Sequence, residues 1–417
     1  VRVIVIGGGA VGLCTAEWLS HRGCEVTVFE RDRCGTGASA GNAGWITPSL
    51  ATPVPGPGVV GASLRWLIDP SGPLWIRPTL DPALVSWIAR FLASCRRPAY
   101  AQGLAALQRA GSLAGPAFDA LASRGVEFEQ HEEPLLFPAF EEAERDHLWR
   151  MIDELRDAGS DQRLERASAD ELTSLEPALG ESVLGGVIGR AERRVRPERF
   201  TAGVHRTLLV RGVEVLETTP VTALSRDGRQ WRADSPAGPH PAEAVVIATG
   251  VESAQLLAPL GIRVPIAAAK GYSRTYARDA SGPRHALYLE NPKVAISVFD
   301  EGVRVSGTLE LGARGLGLSE RRLQAITAAA QAALPGWQMP ARPRDWAGMR
   351  PLTPDGLPFI GAVPGLDGVH LATGHGTLGI TLAPLTGELL AGMLLDNARN
   401  ELLDAFDPAR ATRGGLK

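Results

Sequence analysis

The chain opens on VRVIVI, Val1 to Ile6, a short continuous run of β-branched residues that predicts a buried strand. Glycines follow at once. From Ala10 to Arg22 the apolar positions change to helical spacing, with Val11, Ala16 and Leu19 in step, and Gly23 ends the helix. CEVTVF, Cys24 to Phe29, predicts a second strand that ends in Glu30. Much later, GVEVLETTPVTAL at 212–224 reads as two short strands, and AVVIATG, Ala244 to Gly250, as a buried strand entering a turn. GVHLAT at 368–373 is another strand. Ile380 to Leu395 is a helix with apolar residues at Leu382, Leu385, Leu389 and Met393.

The middle of the chain has different patterns. Residues 81–95 predict an amphipathic helix capped by Asp81 with Pro82 at its first position. Residues 140–158 predict a charged helix with Leu148, Ile152 and Leu155 on one face, and Ser168 to Glu171 is a capping box. The segments 266–276, 293–299 and 303–311 read as antiparallel strands, and helices would cover one face of their sheet. Residues 50–80, rich in Pro and Gly with Trp66 and Trp75, read as a long ordered loop over the active site, with a membrane contact as the rival reading.

Gly7, Gly9 and Gly12 have G-x-G-x-x-G spacing inside a complete strand–turn–helix–strand unit, and Glu30 follows the third glycine by 18 positions. Gly7 permits the tight turn, Gly9 lets a pyrophosphate approach the backbone, and Gly12 lets the helix pack on the strand. Ala10 and Val11 open the helix, whose free N–H groups favour phosphate. Glu30 would accept from adenosine ribose hydroxyls, and its charge disfavours a 2′-phosphate. A dinucleotide, FAD or NAD, is therefore expected. The same glycine spacing recurs at Gly374, Gly376 and Gly379, after a strand and before a helix. No further strand and no terminal acid follow it, because the chain ends in ELLDAFDPARATRGGLK. One cofactor touching both glycine turns fits this better than two cofactors.

Composition narrows the partners. A chain of 417 residues suggests two or three folding units. A net charge of -3 argues against a nucleic-acid partner or an anionic membrane surface. Cys14, Cys24, Cys34 and Cys95 form no C-x-x-C pair and no metal spacing with histidine, so no metal is expected. The glycine break after Ile6 argues against a signal peptide, and no uncharged run reaches the roughly 18 residues of a membrane span. A cytoplasmic protein with at most a peripheral membrane contact is expected.

GTGASAGNAGWITPS, Gly35 to Ser49, WAGMRPLTPDGLPFIG at 346–361 and ATGHGTLGITLAP at 372–384 together resemble the FAD-dependent D-amino acid oxidase superfamily. The similarity is nearest to its D-amino acid dehydrogenases and covers nearly the whole chain, with the region from about 100 to 200 matching only in outline. The resemblance implies an α/β fold: a Rossmann-type FAD-binding domain plus a substrate domain with a mixed or antiparallel sheet covered by helices. The FAD-binding parts would be 1–80, 201–262 and 346–417, and the substrate parts 81–200 and 263–345. Besides the first turn, Glu30 and Arg31, the resemblance places Ser39, Asn42, Ala43, Gly44 and Trp45 at the cofactor. It adds Val221 at the adenine, Thr249 and Gly250 at the return strand, and Gly348. Gly374, His375, Gly376, Thr377, Leu378 and Gly379 would line the flavin.

The expected chemistry is oxidative deamination of a D-amino acid to a 2-oxo acid, with hydride passing from Cα to flavin N5. Electrons would go on to a quinone or another acceptor. Arg350 is the candidate fork for the substrate carboxylate. Tyr272 would add a hydroxyl, Glu310 would meet the ammonium, and His375 would bond flavin or substrate; Tyr276 is a second hydroxyl on the same strand. In related oxidases a lysine near N5 helps oxygen react, but neither Lys270 nor Lys293 lies in a motif with that role. Relatives that attach FAD covalently use a C-terminal cysteine, and none lies beyond Cys95, so noncovalent FAD is expected. Arg193, Arg194 and Arg196 form a basic cluster, either solvated or favouring an acidic substrate side chain. Two rivals stay open: an oxygen-using oxidase of glycine, sarcosine, proline or hydroxyproline, and a non-catalytic FAD-binding subunit of a larger complex.

Overall fold

The β-branched run at the N-terminus becomes the strand Arg2–Ile6, third in a sheet of six strands among the described residues. The order is Glu214–Leu216, Glu25–Phe29, Arg2–Ile6, Ala244–Ile247, Val369–Thr373 and Phe359–Ala362. The first five strands are parallel and the last is antiparallel. Ile6 is in register with both Phe29 and Ile247. Gly7, Glu30 and Ala248 therefore leave the sheet at the same edge, the carboxyl end where open α/β sheets bind ligands. The computed structural model describes residues 1–59, 72–78, 81–157 and 163–411.

Two helices bring the distant glycine turns together. Ala10–His21 packs against Ala383–Asp396, and Gly387 makes the approach possible: a Cβ there would stand 2.6 Å from the Cys14 carbonyl oxygen. The second helix starts at Ala383, not at the expected Ile380, and residues 374–382 form turns instead. Pro384 sits in its first turn, where a missing N–H costs nothing.

The second sheet has nine strands among the described residues. Its spine runs Arg344–Leu352, Ala267–Ala277, Gly302–Leu311, Val294–Phe299 and Ala286–Leu289, followed by Leu135–Ala139, Gly185–Gly189 and Leu164–Ala167. Leu74–Ile76 adds alongside Gly302–Leu311. The helix Glu320–Ala333 covers one face, where Leu323, Ile326 and Ala330 share a core with Tyr276, Val303 and Val305. The mixed α/β architecture of a Rossmann region beside a helix-covered mixed sheet is thus the one expected. The Ser168–Glu171 capping box forms, and Asp81 accepts from the Ala83 N–H at 2.9 Å.

The sequence pattern missed the longest helix, Arg97–Ser123. Its buried side is built partly from Gly103, Ala110, Gly111, Ala114 and Ala117, which blur apolar periodicity. Those small residues let it press on the turn Pro48–Leu50: a Cβ at Gly111 would lie 2.9 Å from the Ala51 methyl. Of the expected loop at 50–80, residues 60–71 and 79–80, Trp66 among them, lie outside the described residues, and Trp75 is in the strand Leu74–Ile76. Among the described residues, no helix is long and apolar enough to cross a membrane.

Candidate active site

A cavity of about 730 Å³ runs along the carboxyl edge of the parallel sheet and reaches the strand Arg344–Leu352. Gly7, Gly9, Ala10 and Val11 line one side. Gly7 has φ 110°, and a Cβ there would stand 2.5 Å from the Ala248 carbonyl oxygen. Gly12 lies behind the wall, where its role is close packing. Ser39 accepts from the Ala10 N–H at 3.0 Å, which pins the following loop to the helix start. Glu30 accepts from the N–H groups of Gly8 at 2.7 Å and Asp32 at 2.9 Å, so its carboxylate is held at the strand end. Arg31, Val221, Thr249 and Gly250 close the same end. Val251, Glu252, Gln255 and Leu256 also line it, which the sequence reading did not anticipate.

Asn42 lines the middle of the cavity and accepts from the Gly44 N–H at 2.7 Å. Ala43, Gly44 and Trp45 stand behind it. Gly44 has φ 75° and passes so close to Val195 that a Cβ would meet its carbonyl oxygen at 2.0 Å. Trp45 pairs with Arg194 and meets Tyr288 edge-on, with ring centroids 5.8 Å apart. At the other end, His375, Gly376 and Gly379 form one wall, and Gly348 and Arg350 another. Gly374 is packed against Thr353, Leu378 belongs to the core, and Thr377 is exposed, so these three do not line the cavity. Gly315 and Leu316 contribute to the lining; the glycine-rich LGARGLGLS was the available signal for them.

Arg350 carries the charge of this end. Its Nη1 donates to the Thr308 carbonyl at 3.0 Å, and among the described residues no carboxylate pairs with it. Burial alone pulls the guanidinium down to about 10, so it stays cationic at neutral pH. A half-buried cation facing a cavity without a counterion is suited to an anionic ligand.

Tyr272 and Glu310 sit elsewhere. Ala269 is opposite Arg350, so Tyr272, three positions along the strand, faces the other side of the sheet. There its hydroxyl donates to Glu310 at 2.7 Å, Arg322 lies 3.7 Å from the same carboxylate, and neither Tyr272 nor Glu310 lines the cavity. Burial, with the Glu310 carboxylate adding to it, pushes the Tyr272 hydroxyl well above its ordinary value. Tyr276 bonds Thr327 at 3.1 Å on that face too. The basic cluster is neutralised by acids: Arg193 pairs with Asp119, the buried Arg194 with Glu133 and Arg196 with Glu301. Lys270 donates to the Gly317 carbonyl, and Lys293 pairs with Glu290.

His375 is buried, and its Nε2 lies 2.9 Å from the Thr386 hydroxyl, which donates to the Leu382 carbonyl at 2.8 Å. The hydroxyl proton is therefore spent, Nε2 carries the imidazole proton, and Nδ1 is left as the acceptor side. Burial drives this imidazole down to about 3 from an ordinary 6.5. The sign follows from linkage: below about pH 6.5 the unfolded chain takes up a proton that the folded chain refuses. His375 thus costs stability as the pH falls from 6.5 toward 3, and adds no pH dependence above it. Histidine-selective NMR should show its ring neutral from about pH 5 to 8. A signal titrating near its ordinary midpoint would contradict the buried placement.

The residues present fit FAD. Glycine turns that a Cβ would fill lie at one end, a carboxylate fixed for a ribose lies beside them, and an unpaired cation stands at the far end of an elongated cavity. Fold and cavity together describe a flavin-dependent oxidoreductase. The chain belongs to the DAO family of FAD dependent oxidoreductases, whose family model matches residues 2–393. It is 33% identical over 403 residues to a D-amino acid dehydrogenase of Xanthobacter autotrophicus, covering 94% of this chain and 95% of that one. A D-amino acid dehydrogenase of Xylella fastidiosa is 34% identical over 405 residues, covering 94% and 92%. Among solved structures, glycine oxidase from Geobacillus kaustophilus superposes with a TM-score of 0.77 at 24% identity, covering 98% of this chain and 99% of that one. That likeness is one of fold.

Proposed function

We propose that this protein oxidises D-amino acids to 2-oxo acids with noncovalently bound FAD, passing the electrons to a quinone or another acceptor in preference to oxygen. The observation that carries the reading is Arg350, a half-buried guanidinium without an acidic partner among the described residues, facing the cavity. It suits a carboxylate in a bidentate fork. The D-amino acid dehydrogenases at 33% and 34% identity support the substrate class and the choice of acceptor.

FAD, when bound, supplies the two-electron acceptor. The chain's own groups do the positioning. Gly7, Gly9 and the start of the first helix would hold the pyrophosphate, and Glu30 would hold the ribose. Arg350 fixes the substrate carboxylate, so the Cα hydrogen has one orientation. His375, neutral, offers a hydrogen-bonding edge without a competing charge. The substrate gives up the Cα hydrogen with its electron pair and an amine proton, and water then converts the imino acid to 2-oxo acid and ammonia. Tyr272 and Glu310 support the strand from its other face. Noncovalent attachment is favoured by the state of Cys34, the cysteine beside Gly8: burial, then Glu217 and Glu30, push its thiol up to about 12, so it is a poor nucleophile.

One preparation tests all of this. Mixed anaerobically with single D- and L-amino acids, the flavin should bleach with D-isomers, and acid should release FAD into the supernatant. Turnover with a dye or quinone should exceed turnover with oxygen. Bleaching by glycine, sarcosine or proline with stoichiometric peroxide would establish the oxidase reading instead. No bleaching by any amine would favour a non-catalytic subunit.

A further inference from the structure

Arg350 rests on an irregularity between two strands. The antiparallel pair Ala267–Ala277 and Gly302–Leu311 matches Lys270 with Glu310, but then Tyr272 with Gly307. One residue, Gly271, thus faces two, Thr308 and Leu309, which is a β-bulge. The bulge is held from outside by the strand Leu74–Ile76, since the Leu309 N–H donates to the Pro73 carbonyl at 2.7 Å. Thr308 sits at φ 58°, a left-handed conformation that a β-branched residue adopts at a cost, and its buried hydroxyl has no hydrogen-bond partner. Its carbonyl is the group that accepts from Arg350 Nη1 at 3.0 Å.

Gly271 completes the arrangement. A Cβ at that position would lie 2.4 Å from Arg350 Cζ, 2.4 Å from Nη1 and 2.6 Å from Nη2. The guanidinium therefore lies flat on bare backbone, and any side chain at 271 would occupy its place. Strand alternation puts Gly271 on the Arg350 side of the sheet and Lys270 and Tyr272 on the other.

We propose that the bulge formed by Gly271, Thr308 and Leu309 is the positioning element of the carboxylate site, with Gly271 reserving the guanidinium's space and the Thr308 carbonyl fixing its rotation. One donor is spent on the protein and the Nη2 edge is turned to the substrate. This rests on Arg350 as the carboxylate receptor. The left-handed backbone at Thr308 belongs to the bulge, and in it the Thr308 carbonyl is aimed at the guanidinium.

The test uses the FAD-loaded protein with D-alanine as substrate and acetate as the carboxylate probe, read as its effect on the flavin spectrum. Gly271→Ala should raise the D-alanine KM and the acetate Kd at least tenfold, while FAD content and Tm stay near wild type and kcat falls less than KM rises. The double variant Gly271→Ala/Arg350→Lys should lose little beyond Arg350→Lys alone, because the planar group that collides with the methyl has gone. If Gly271→Ala fails to fold but the double variant folds and binds FAD, the collision with the guanidinium is shown directly. Unchanged acetate binding in Gly271→Ala, where Arg350→Ala abolishes it, overturns the positioning role and leaves the receptor standing. Unchanged acetate binding in Arg350→Ala overturns the receptor reading itself. Equal failure to fold of the Gly271→Ala single variant and the double variant also overturns the proposal, since Gly271 would then serve the sheet and not Arg350.

Discussion

Arg350→Ala is expected to lower kcat/KM for the preferred D-amino acid more than about a hundredfold while leaving FAD content near wild type. A hydrogen bond to a charged group is worth roughly 1.5–3 kcal/mol, and a fork makes two of them. Each 1.4 kcal/mol is about a factor of ten in rate. The protein itself takes only one of the donors, through the Thr308 carbonyl, so the alanine variant orphans no buried acid. Because the half-buried guanidinium has no acidic partner among the described residues, its removal should leave the melting temperature of the substrate-free protein near wild type. That separates the site from an ordinary buried ion pair, where losing one partner is strongly destabilising. Arg350→Lys should recover part of the loss, because the charge returns without the planar fork. The measurements are anaerobic flavin reduction, FAD occupancy and Tm on the same samples. Activity that falls only in proportion to lost flavin would make Arg350 a structural residue.

How much of this was legible in the sequence depended on how local the information is. The unit from Val1 to Glu30 could be read outright, because strand, turn, helix and strand are consecutive and each signal is short-range. The C-terminal glycine turn could also be assigned to the same cofactor, by what fails to follow it. The helix packing that brings both turns to one cavity, Gly387 against Cys14, involves residues 373 positions apart and has no local signal. That Arg350 faces the cavity was legible through its motif context. Tyr272 and Glu310 were not resolved, because which face a strand residue takes depends on parity along the strand and on pairing across it. The register shift between Lys270 and Tyr272 is a property of two chains meeting, and neither stretch alone encodes it visibly. The same holds for the bare space over Gly271, which reads in sequence as a weak point in a strand.

Gly12→Ala is expected to leave less than about a tenth of the FAD bound after purification; a fall from about nine-tenths to one-tenth occupancy at fixed FAD takes a roughly eightyfold weaker Kd, about 2.6 kcal/mol. An ideal Cβ at Gly12 would lie 1.9 Å from the Gly7 carbonyl oxygen and 3.3 Å from the Ala248 methyl. Gly7 cannot yield: it is held at φ 110°, its N–H donates to the Phe29 carbonyl at 2.8 Å, and it is itself pressed against the Ala248 carbonyl. The helix must therefore move off the strand, and with it Ala10 and Val11, which line the cavity. Both Tm and FAD content should fall. Gly9→Ala is the informative contrast. Its Cβ would meet nothing nearer than the Ser39 hydroxyl at 3.5 Å, so the protein accepts the methyl, but the methyl occupies backbone that a pyrophosphate would approach. It should bind FAD poorly while the FAD-free chain melts as wild type does. Flavin absorbance per chain and melting curves with and without added FAD distinguish the two variants. Full FAD content in Gly9→Ala would mean that the cofactor does not lie against this turn.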